Sequence, residues 1–333
     1  MHPPERLDRF MARANAIYYA THDPFADFTT APEINQVFGE ILGLWAAVAW
    51  QTLGSPDPVL LTEAGPGRGT LMADALRAIG RAAPGFAAAL RVHLIETSPR
   101  LRTAQAARVQ HAVWHDSLDT VPQAPMILLA NEFLDALPIR QFVRREEGWT
   151  ERFVADGTWV EQPTDGAGVP PGRDAAVGQI VELNEPARAF VSSLAQRVRR
   201  HPGVALLVDY GPARSAAGDS LQALARRKPV DPLSPAGSAD LTAHVDFADM
   251  AQTARSAGAA VQGPVTQGAF LSALGVFERT EALARGRPEV QAAALRAGTR
   301  RLTGAAAMGD LFKVLAVTSP DCGALPGFAA VGI

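Results

Sequence analysis

The sequence contains little cysteine and no long hydrophobic segment. Its single cysteine, Cys322, excludes an internal disulfide framework and a cysteine-based zinc cluster, and is typical of a reducing compartment. No apolar run approaches the roughly 18 residues of a membrane-spanning helix, so membrane insertion is not expected. The N-terminal segment includes Glu5 and Asp8 and has no apolar core, which predicts neither a signal nor a transit peptide and favours the bacterial cytoplasm.

A strong charge of one sign is also missing. The 333 residues carry 34 acidic and 31 basic side chains, and this net charge of −3 leaves no basic footprint for nucleic acid or a membrane surface. Nucleic acid is therefore not expected as a partner. A chain of this length can bury roughly three quarters of its unfolded surface, so it can fold as a globular protein without metal or disulfides.

The hydrophobic pattern predicts an α/β protein. Residues Pro4–Ala20 have helical spacing, and a second helix begins near Pro32, where Thr30 and Glu33 form a predicted capping box. Short apolar runs then alternate with helical stretches: Val59–Thr62, Arg91–Ile95, Ala112–His115, Met126–Ala130, Val204–Val208 and Leu311–Thr318. This alternation predicts a doubly wound, mostly parallel, Rossmann-like sheet with an N-terminal helical segment and a C-terminal helical cap.

The glycine-rich segment Glu63–Leu71 (EAGPGRGTL) lies directly between the first core strand and a helix. Its alternate glycines, Gly65, Gly67 and Gly69, let the backbone turn sharply and approach a ligand, with the N–H groups of the helix behind them. No lysine follows Gly69 as in a phosphate-binding P-loop, and the third glycine comes one residue early for a dinucleotide site. The acid before the loop instead suits S-adenosylmethionine, whose sulfonium and ammonium groups are cationic.

Polar side chains at four strand ends favour this interpretation over a purely structural turn. Glu96 ends the second strand, where its carboxylate can accept hydrogen bonds from both ribose hydroxyls. Asp116 and Ser117 follow the third strand and are placed to meet adenine, and Asn131 ends the fourth. The predicted S-adenosylmethionine contacts are Glu63, Gly65, Gly67, Gly69, Thr70, Glu96, Thr97, Asp116, Ser117 and Asn131.

Beyond this loop the chain resembles the MidA family of class I S-adenosylmethionine-dependent methyltransferases. The resemblance runs from about residue 11 to 328 and is carried by Asp27–Ile34, Glu63–Met72, Asn131–Pro138, Asp209–Gly211 and Asp240–Phe247. Family members are similar to the mitochondrial arginine methyltransferase that assists assembly of respiratory complex I. The resemblance implies a class I methyltransferase fold, S-adenosylmethionine as donor with S-adenosylhomocysteine as product, and an arginine of a protein partner, in mitochondria a complex I core subunit, as acceptor.

The sequence divides into three expected regions. Residues 1–55 hold the N-terminal helices and a lid loop over the active site. Residues 56–211 and 305–320 form the methyltransferase core, into which a β-hairpin and a loose loop are inserted at 140–175. Residues 212–304, rich first in proline and glycine and later in alanine, are expected to form a cap that binds the acceptor.

Methyl transfer to arginine requires acidic residues. A guanidinium has a pKa above about 12, so carboxylates must localise its charge and take up the proton that is released. The catalytic candidates are Glu132 and Asp135 beyond the fourth strand and Glu33 of the N-terminal helix. The predicted acceptor contacts are Asp27, Thr30, Asp209, Tyr210 and His244. No metal site is expected, because Asp240, His244 and Asp246 are poorly spaced for ligands.

Two other functions stay open from the sequence. The enzyme could methylate a small molecule, or the protein could bind S-adenosylmethionine structurally and serve as an assembly chaperone without turnover. A carboxylate-lined tunnel that is open to solvent favours a peptide arginine, and a closed apolar pocket favours a small acceptor. The oligomeric state is also open. Exposed apolar residues on the 32–53 helix or on the hairpin would indicate a homodimer.

Overall fold

The computed structural model describes residues 3–22, 29–166, 168–169 and 175–328, and the strands in these ranges form three sheets. In chain order the strands are β1 (Glu5–Arg6), β2 (Val59–Ala64), β3 (Leu90–Ile95), β4 (Val113–His115), β5 (Met126–Asn131), β6 (Arg140–Arg145), β7 (Gly148–Ala155), β8 (Thr158–Thr164), β9 (Ile180–Leu183), β10 (Gly203–Tyr210), β11 (Gln222–Ala225), β12 (Lys228–Val230), β13 (Asp240–Thr242), β14 (Ala260–Thr266) and β15 (Phe312–Thr318).

The helices surround these sheets. In chain order they are α1 (Leu7–Thr21), α2 (Ala31–Ile34), α3 (Gln36–Thr52), α4 (Thr70–Ala82), α5 (Pro84–Ala89), α6 (Pro99–Ala106), α7 (Glu185–Arg200), α8 (Phe247–Ser256), α9 (Gln267–Ala273), α10 (Val276–Ala284) and α11 (Glu289–Thr303). Within the described part of the chain, none of them is both long and apolar enough to cross a membrane.

The central sheet is mixed. Its described strands follow the order β14-β15-β10-β5-β2-β3-β4, and the five from β10 to β4 are parallel. Strand β15 runs antiparallel to β10, and β14 runs antiparallel to β15. All the runs that the sequence predicted as core strands lie in this sheet. The sequence did not predict β14, because this edge strand is only partly buried and Gly263 and Pro264 interrupt its apolar pattern.

The parallel strands are continuous apolar runs because helices cover both faces of the sheet. On one face Leu61, Leu129 and Leu206 pack with apolar side chains of α3, α4, α9 and α11. On the other face Leu60 and Leu128 pack with α7 and α8. The carboxyl ends of β2, β3 and β5 therefore form the edge at which a ligand can meet the sheet.

A second sheet contains β1, β6, β7, β8 and β9. Strands β6 and β7 form a hairpin within the insertion predicted at 140–175, with Arg145 paired to Gly148. Helix α1 packs between this sheet and the small sheet of β11, β12 and β13, through Leu7 and Met11. The N-terminal helix is thereby fixed beside the central sheet although it does not belong to it.

Residues 212–304 differ from the single helical cap that was expected. Their first part forms the three-stranded sheet β12-β11-β13. Their middle part, 247–266, supplies α8 and β14 to the central sheet, because α8 covers the face beside α7 and β14 pairs with β15. Helices α9, α10 and α11 make up the helical remainder. The division of the chain into three regions stays a prediction.

The predicted capping box of Thr30 and Glu33 is wrong. The Thr30 side chain makes no capping hydrogen bond, and the predicted second helix is divided at Asn35 into α2 and α3. Asn35 has an extended backbone, and its Oδ1 accepts a hydrogen bond from the Val37 N–H at 3.1 Å, which caps α3. The Glu33 carboxylate instead accepts from the Thr70 hydroxyl, since α2 lies against the start of α4.

A buried histidine pair joins β3 to the edge strand β4. His93 Nδ1 and His115 Nε2 are 2.8 Å apart, and the two rings stack with centroids 5.0 Å apart. Burial, together with the nearby His115 and Arg197, lowers the pKa of His93 to about 4. In the unfolded chain the histidine pKa is about 6.5, so as the pH falls the unfolded chain binds a proton before the folded protein does. The neutral His93 therefore contributes to the free energy of unfolding above about pH 6.5, and this contribution is lost as the pH falls toward 4.

Replacing His93 with glutamine should flatten this acid dependence. Between about pH 7 and pH 5, the free energy of unfolding of the native protein should fall by about 2 kcal/mol more than that of His93→Gln. Urea unfolding at the two pH values measures the difference. His111→Asn is the control, because His111 is exposed with φ of 59°, a conformation that asparagine tolerates. Equal pH slopes for the native protein and His93→Gln would contradict the assignment.

Candidate active site

A cavity of about 540 Å³ opens at the carboxyl ends of β2, β3 and β5. The glycine loop, Glu63 and Glu96 line one half of it, and the exposed small side chains of α1 line the other. Glu132 lies with Asn131 at the end of β5 and also lines the cavity. The structure therefore places the predicted ligand-binding loop and two predicted catalytic acids, Glu132 and Glu33, around a common space.

The glycine loop needs its glycines for conformation and for space. Gly65, Gly67 and Gly69 have φ of 66°, 51° and 79°, a region that other residues seldom adopt. A Cβ atom on Gly65 would also lie only 2.9 Å from Cδ2 of Phe133. The loop consequently turns into α4 at Thr70 while its backbone borders the cavity.

Glu63 is a buried carboxyl group that faces the cavity. Only 3% of the residue is exposed, and its Oε2 has no hydrogen-bond partner among the described residues. Burial raises the pKa of Glu63 to about 8, although the Met72 N–H opposes this rise. A buried oxygen without a partner is costly unless a ligand satisfies it, and a cationic ligand also restores the charge. This observation fits the sulfonium and ammonium groups of S-adenosylmethionine.

Glu96 is held in a defined orientation at the end of β3. Its Oε1 accepts a hydrogen bond from the Ser98 N–H at 2.8 Å, and its Oε2 accepts one from Gln105 Nε2 at 3.2 Å. Burial raises the pKa of Glu96, and these donors oppose the rise. With Thr97 it lines the cavity, as a contact to ribose hydroxyls requires.

The predicted adenine contacts lie outside the cavity wall. The Asp116 side chain is 79% exposed and pairs with Arg102 Nη2 at 2.6 Å, and neither Asp116 nor Ser117 lines the cavity. Arg102 also donates to the Glu96 carbonyl, so it joins the ends of β3 and β4. Contact of Asp116 and Ser117 with adenine stays a prediction.

Glu132 has the geometry of a proton acceptor at the cavity. It has φ of 50°, and its Oε1 accepts hydrogen bonds from Asn131 Nδ2 at 3.0 Å and from the Ala31 N–H at 2.9 Å. Burial raises the pKa of Glu132 to about 7, and the two donors oppose this rise. The Asn131 Oδ1 has no partner among the described residues, so it also offers an acceptor to a ligand.

Asp209 holds the loop that carries Glu132. Its Oδ2 accepts the N–H groups of Phe133 at 3.2 Å, Leu134 at 2.9 Å and Asp135 at 3.3 Å. Asp209 is 1% exposed and does not line the cavity. Burial and the Asp135 carboxyl raise the pKa of Asp209. These bonds support the loop, and contact of Asp209 with the acceptor stays a prediction.

Asp135 and Tyr210 form a buried pair behind the same loop. Asp135 is 6% exposed and does not line the cavity. Burial and the charge of Glu132 raise the pKa of Asp135 to about 7, and the Tyr210 hydroxyl opposes this rise. Gln222 Nε2 donates to the Tyr210 hydroxyl at 3.2 Å, and His244 lies edge-on to the Tyr210 ring at 5.4 Å.

The other predicted catalytic and acceptor residues divide between the cavity and its surroundings. Thr30 and Glu33 line the cavity, whereas Tyr210 and His244 do not. Glu33 Oε1 accepts a hydrogen bond from Thr70 Oγ1 at 2.5 Å, so these two predicted site residues satisfy each other. Asp27 lies outside the described residues. The roles of these residues in catalysis and acceptor binding stay predictions.

Helix α1 contributes a wall of the cavity that the sequence pattern did not predict. Its residues on the cavity are Ala12, Asn15, Ala16, Tyr19 and Ala20. Asn15 Nδ2 donates to the Leu241 carbonyl at 2.8 Å, and the Tyr19 hydroxyl donates to Asp240 Oδ1 at 2.8 Å. These bonds fix the helix against β13. Alanines at intervals of four were the available signal, but spacing alone does not say what a helix face meets.

Comparison with known proteins shows the family of this chain and the cofactor of that family. Residues 41–265 match a protein family described as "Putative S-adenosyl-L-methionine-dependent methyltransferase". The chain belongs to that family. It is an S-adenosylmethionine-dependent methyltransferase with S-adenosylmethionine as its cofactor, and the family resemblance that the motifs carried is confirmed.

The methyltransferase has similar curated relatives and solved structures. It is 33% identical to the mitochondrial protein arginine methyltransferase NDUFAF7 homolog of Drosophila melanogaster, over 94% of this chain and 80% of that protein. It is 31% identical to the human NDUFAF7 protein, over 80% of this chain and 68% of that protein. A Burkholderia thailandensis protein described as a "likely methyl transferase", solved with S-adenosyl-homocysteine, superposes with a TM-score of 0.81 at 26% identity, covering 98% of this chain and 90% of that one.

Proposed function

We propose that the methyltransferase transfers a methyl group to an arginine side chain of a protein. The observation that supports this most directly is the position of Glu132, a carboxyl group with a pKa near 7 on a cavity whose other wall is α1. Ala12, Ala16 and Ala20 of that wall are exposed, so the cavity admits a slim side chain from solvent. The names of the relatives give independent support for arginine.

The chain's own residues divide the chemical tasks. When bound, S-adenosylmethionine supplies a sulfonium methyl group whose S–C bond breaks with its electron pair on sulfur as the new N–C bond forms. Glu63 and Glu96 hold the donor half of the site by charge and hydrogen bonds. Glu132 orients the guanidinium and takes the proton that the methylated nitrogen gives up. The apolar side chains Leu137 and Pro138 border the cavity and favour exclusion of water around the reacting atoms once donor and acceptor fill it.

A small-molecule acceptor and a cofactor-binding chaperone are the competing functions. The wall of α1 does not close the cavity into an apolar pocket, which weighs against the first. The raised pKa of Glu132 suits proton transfer at neutral pH, which weighs against a site without turnover. We also propose that the acceptor is a protein of the complex I core subunit type and that the enzyme acts in the bacterial cytoplasm. We propose further that the central sheet is doubly wound and Rossmann-like. A homodimer stays a prediction.

The acceptor class can be tested without knowledge of the acceptor protein. Purified methyltransferase is incubated with S-adenosylmethionine carrying a tritiated methyl group and with a protein extract of cells that lack its gene. Acid hydrolysis and amino-acid analysis should then recover the label as methylarginine. Label in another amino acid or in small molecules would overturn the proposal, and so would no labelling by enzyme that binds S-adenosylhomocysteine.

Enlarging Ala16 should separate acceptor binding from cofactor binding. In Ala16→Leu the larger side chain extends from the α1 wall into the cavity and does not enter the core, because Ala16 is exposed. Labelling of the extract should fall at least tenfold, while the dissociation constant for S-adenosylhomocysteine stays unchanged. Ala294→Leu, at an exposed position of α11, is the matched control and should label normally. Normal labelling by Ala16→Leu would show that the acceptor does not pass this wall.

A further inference from the structure

Gln105 of α6 does not line the cavity, but it joins three segments behind the cofactor half, the half that is lined by the glycine loop, Glu63 and Glu96. The residue is fully buried, with 0% of its surface exposed. Its Nε2 donates to the Gly67 carbonyl at 2.7 Å and to Glu96 Oε2 at 3.2 Å, and its Oε1 accepts from Trp114 Nε1 at 2.8 Å. Gly67 lies in the glycine loop, Glu96 follows β3, and Trp114 lies on β4.

The orientation of the Gln105 amide is fixed by its partners. An indole N–H can only donate, so the amide oxygen must face Trp114. The amide NH₂ group must then face the Gly67 carbonyl and the Glu96 carboxylate, both of which only accept. Trp114 on the edge strand thereby directs two N–H donors toward the cofactor half.

The same contacts restrain Glu96 and the loop together. The second carboxylate oxygen of Glu96 is held by the Ser98 N–H at 2.8 Å, so both oxygens have a partner within the protein. A Cβ atom on Gly69 would lie 3.4 Å from Cα of Gln105, which places α6 in van der Waals contact with the loop. A displacement of Gln105 would therefore move the carboxylate and the loop together.

We propose that Gln105 is a positioning residue for S-adenosylmethionine, which aims the Glu96 carboxylate at the ribose hydroxyls and clamps the glycine loop at Gly67. Trp114 is the second member of this device, because it sets which end of the amide faces Glu96. An amide donor also keeps Glu96 in its ionised, accepting form, since burial raises the pKa of Glu96 and the Gln105 donor opposes the rise.

The sharpest test compares the affinity of the full-length native protein and of Gln105→Glu for S-adenosylhomocysteine at two pH values, because the two proteins should respond to pH in opposite directions. Gln105→Glu is nearly isosteric but places a second carboxylate beside Glu96, so isothermal titration at about pH 8 should show affinity reduced at least a hundredfold. As the pH falls toward about 5.5, the new carboxyl group is protonated and can donate to Glu96, so affinity should recover. The native protein should bind no more tightly at the lower pH, because burial raises the pKa of Glu96 and a lower pH can only favour its neutral form.

Two further variants separate positioning from structural support. Gln105→Met keeps the volume but removes both donors, and affinity should fall about tenfold. Gln267→Met is the matched control: Gln267 is also 0% exposed and donates to a carbonyl, that of Leu302 at 2.8 Å, but it does not line the cavity. Its affinity should equal that of the native protein.

The proposal has defined ways to fail. Native affinity in Gln105→Met, or a pH trend in Gln105→Glu that matches the native protein, would overturn it. If those variants do not fold, Trp114→Phe replaces them. This change removes the indole donor that orients the amide, together with part of the ring, and should weaken S-adenosylhomocysteine binding severalfold while the protein still unfolds cooperatively. Unchanged affinity in a folded Trp114→Phe would equally overturn the proposal.

Discussion

The Glu132→Gln variant should label protein extract about a thousandfold more slowly than the native methyltransferase and still bind S-adenosylhomocysteine. Glutamine keeps the size of the side chain but cannot take up the proton, and loss of a general base costs about a hundred- to ten-thousandfold in rate. The native rate should also rise with pH through about 7, because burial raises the pKa of Glu132 to that value and only the ionised form accepts a proton. This rise should be absent in the variant.

Two comparisons make the Glu132 experiment decisive. Glu289→Gln, whose side chain is 85% exposed on α11, should label at the native rate. Asp135→Asn should have a smaller effect than Glu132→Gln, since Asp135 does not line the cavity and acts on Glu132 through its charge. Unchanged labelling by both Glu132→Gln and Asp135→Asn would exclude these two carboxyl groups from the reaction.

The Glu96→Ala variant should weaken S-adenosylhomocysteine binding at least about a hundredfold. The Glu96 carboxylate is already oriented by Ser98 and Gln105, so two charge-assisted hydrogen bonds to ribose cost little ordering and are lost together in alanine. Isothermal titration measures the loss, with Glu289→Ala as the exposed control. Native affinity in Glu96→Ala would place the ribose elsewhere in the cavity.

The sequence predicted those parts of the site that depend on local order along the chain. Glu63 and Glu96 were recognisable because each ends an apolar run, and parallel strands bring their carboxyl ends to one edge. Asp209 was recognisable as polar, but its role was not. That role depends on three N–H groups of a loop that lies more than 70 residues earlier, and side-chain type does not reveal such a partner.

The same limit explains the other differences between prediction and structure. Nothing in the spacing of α1 indicates that its alanines border a cavity, because the helix is fixed there by Asn15 and Tyr19 through bonds to β13. Strand β14 lacks an apolar run, and its place beside β15 is set by backbone pairing. Gln105 likewise resembles any polar residue of a short helix until Trp114 and Gly67 are seen on either side of it.

Helix α1 is separate from the central sheet, which carries the glycine loop. It packs between the two smaller sheets, and its alanines face a cavity whose opposite wall is the glycine loop. Under the proposed function, selection of the methylated target and supply of the methyl group therefore reside on different pieces of chain. Substitutions in α1 can therefore reshape the acceptor side of the cavity while the glycine loop stays unchanged.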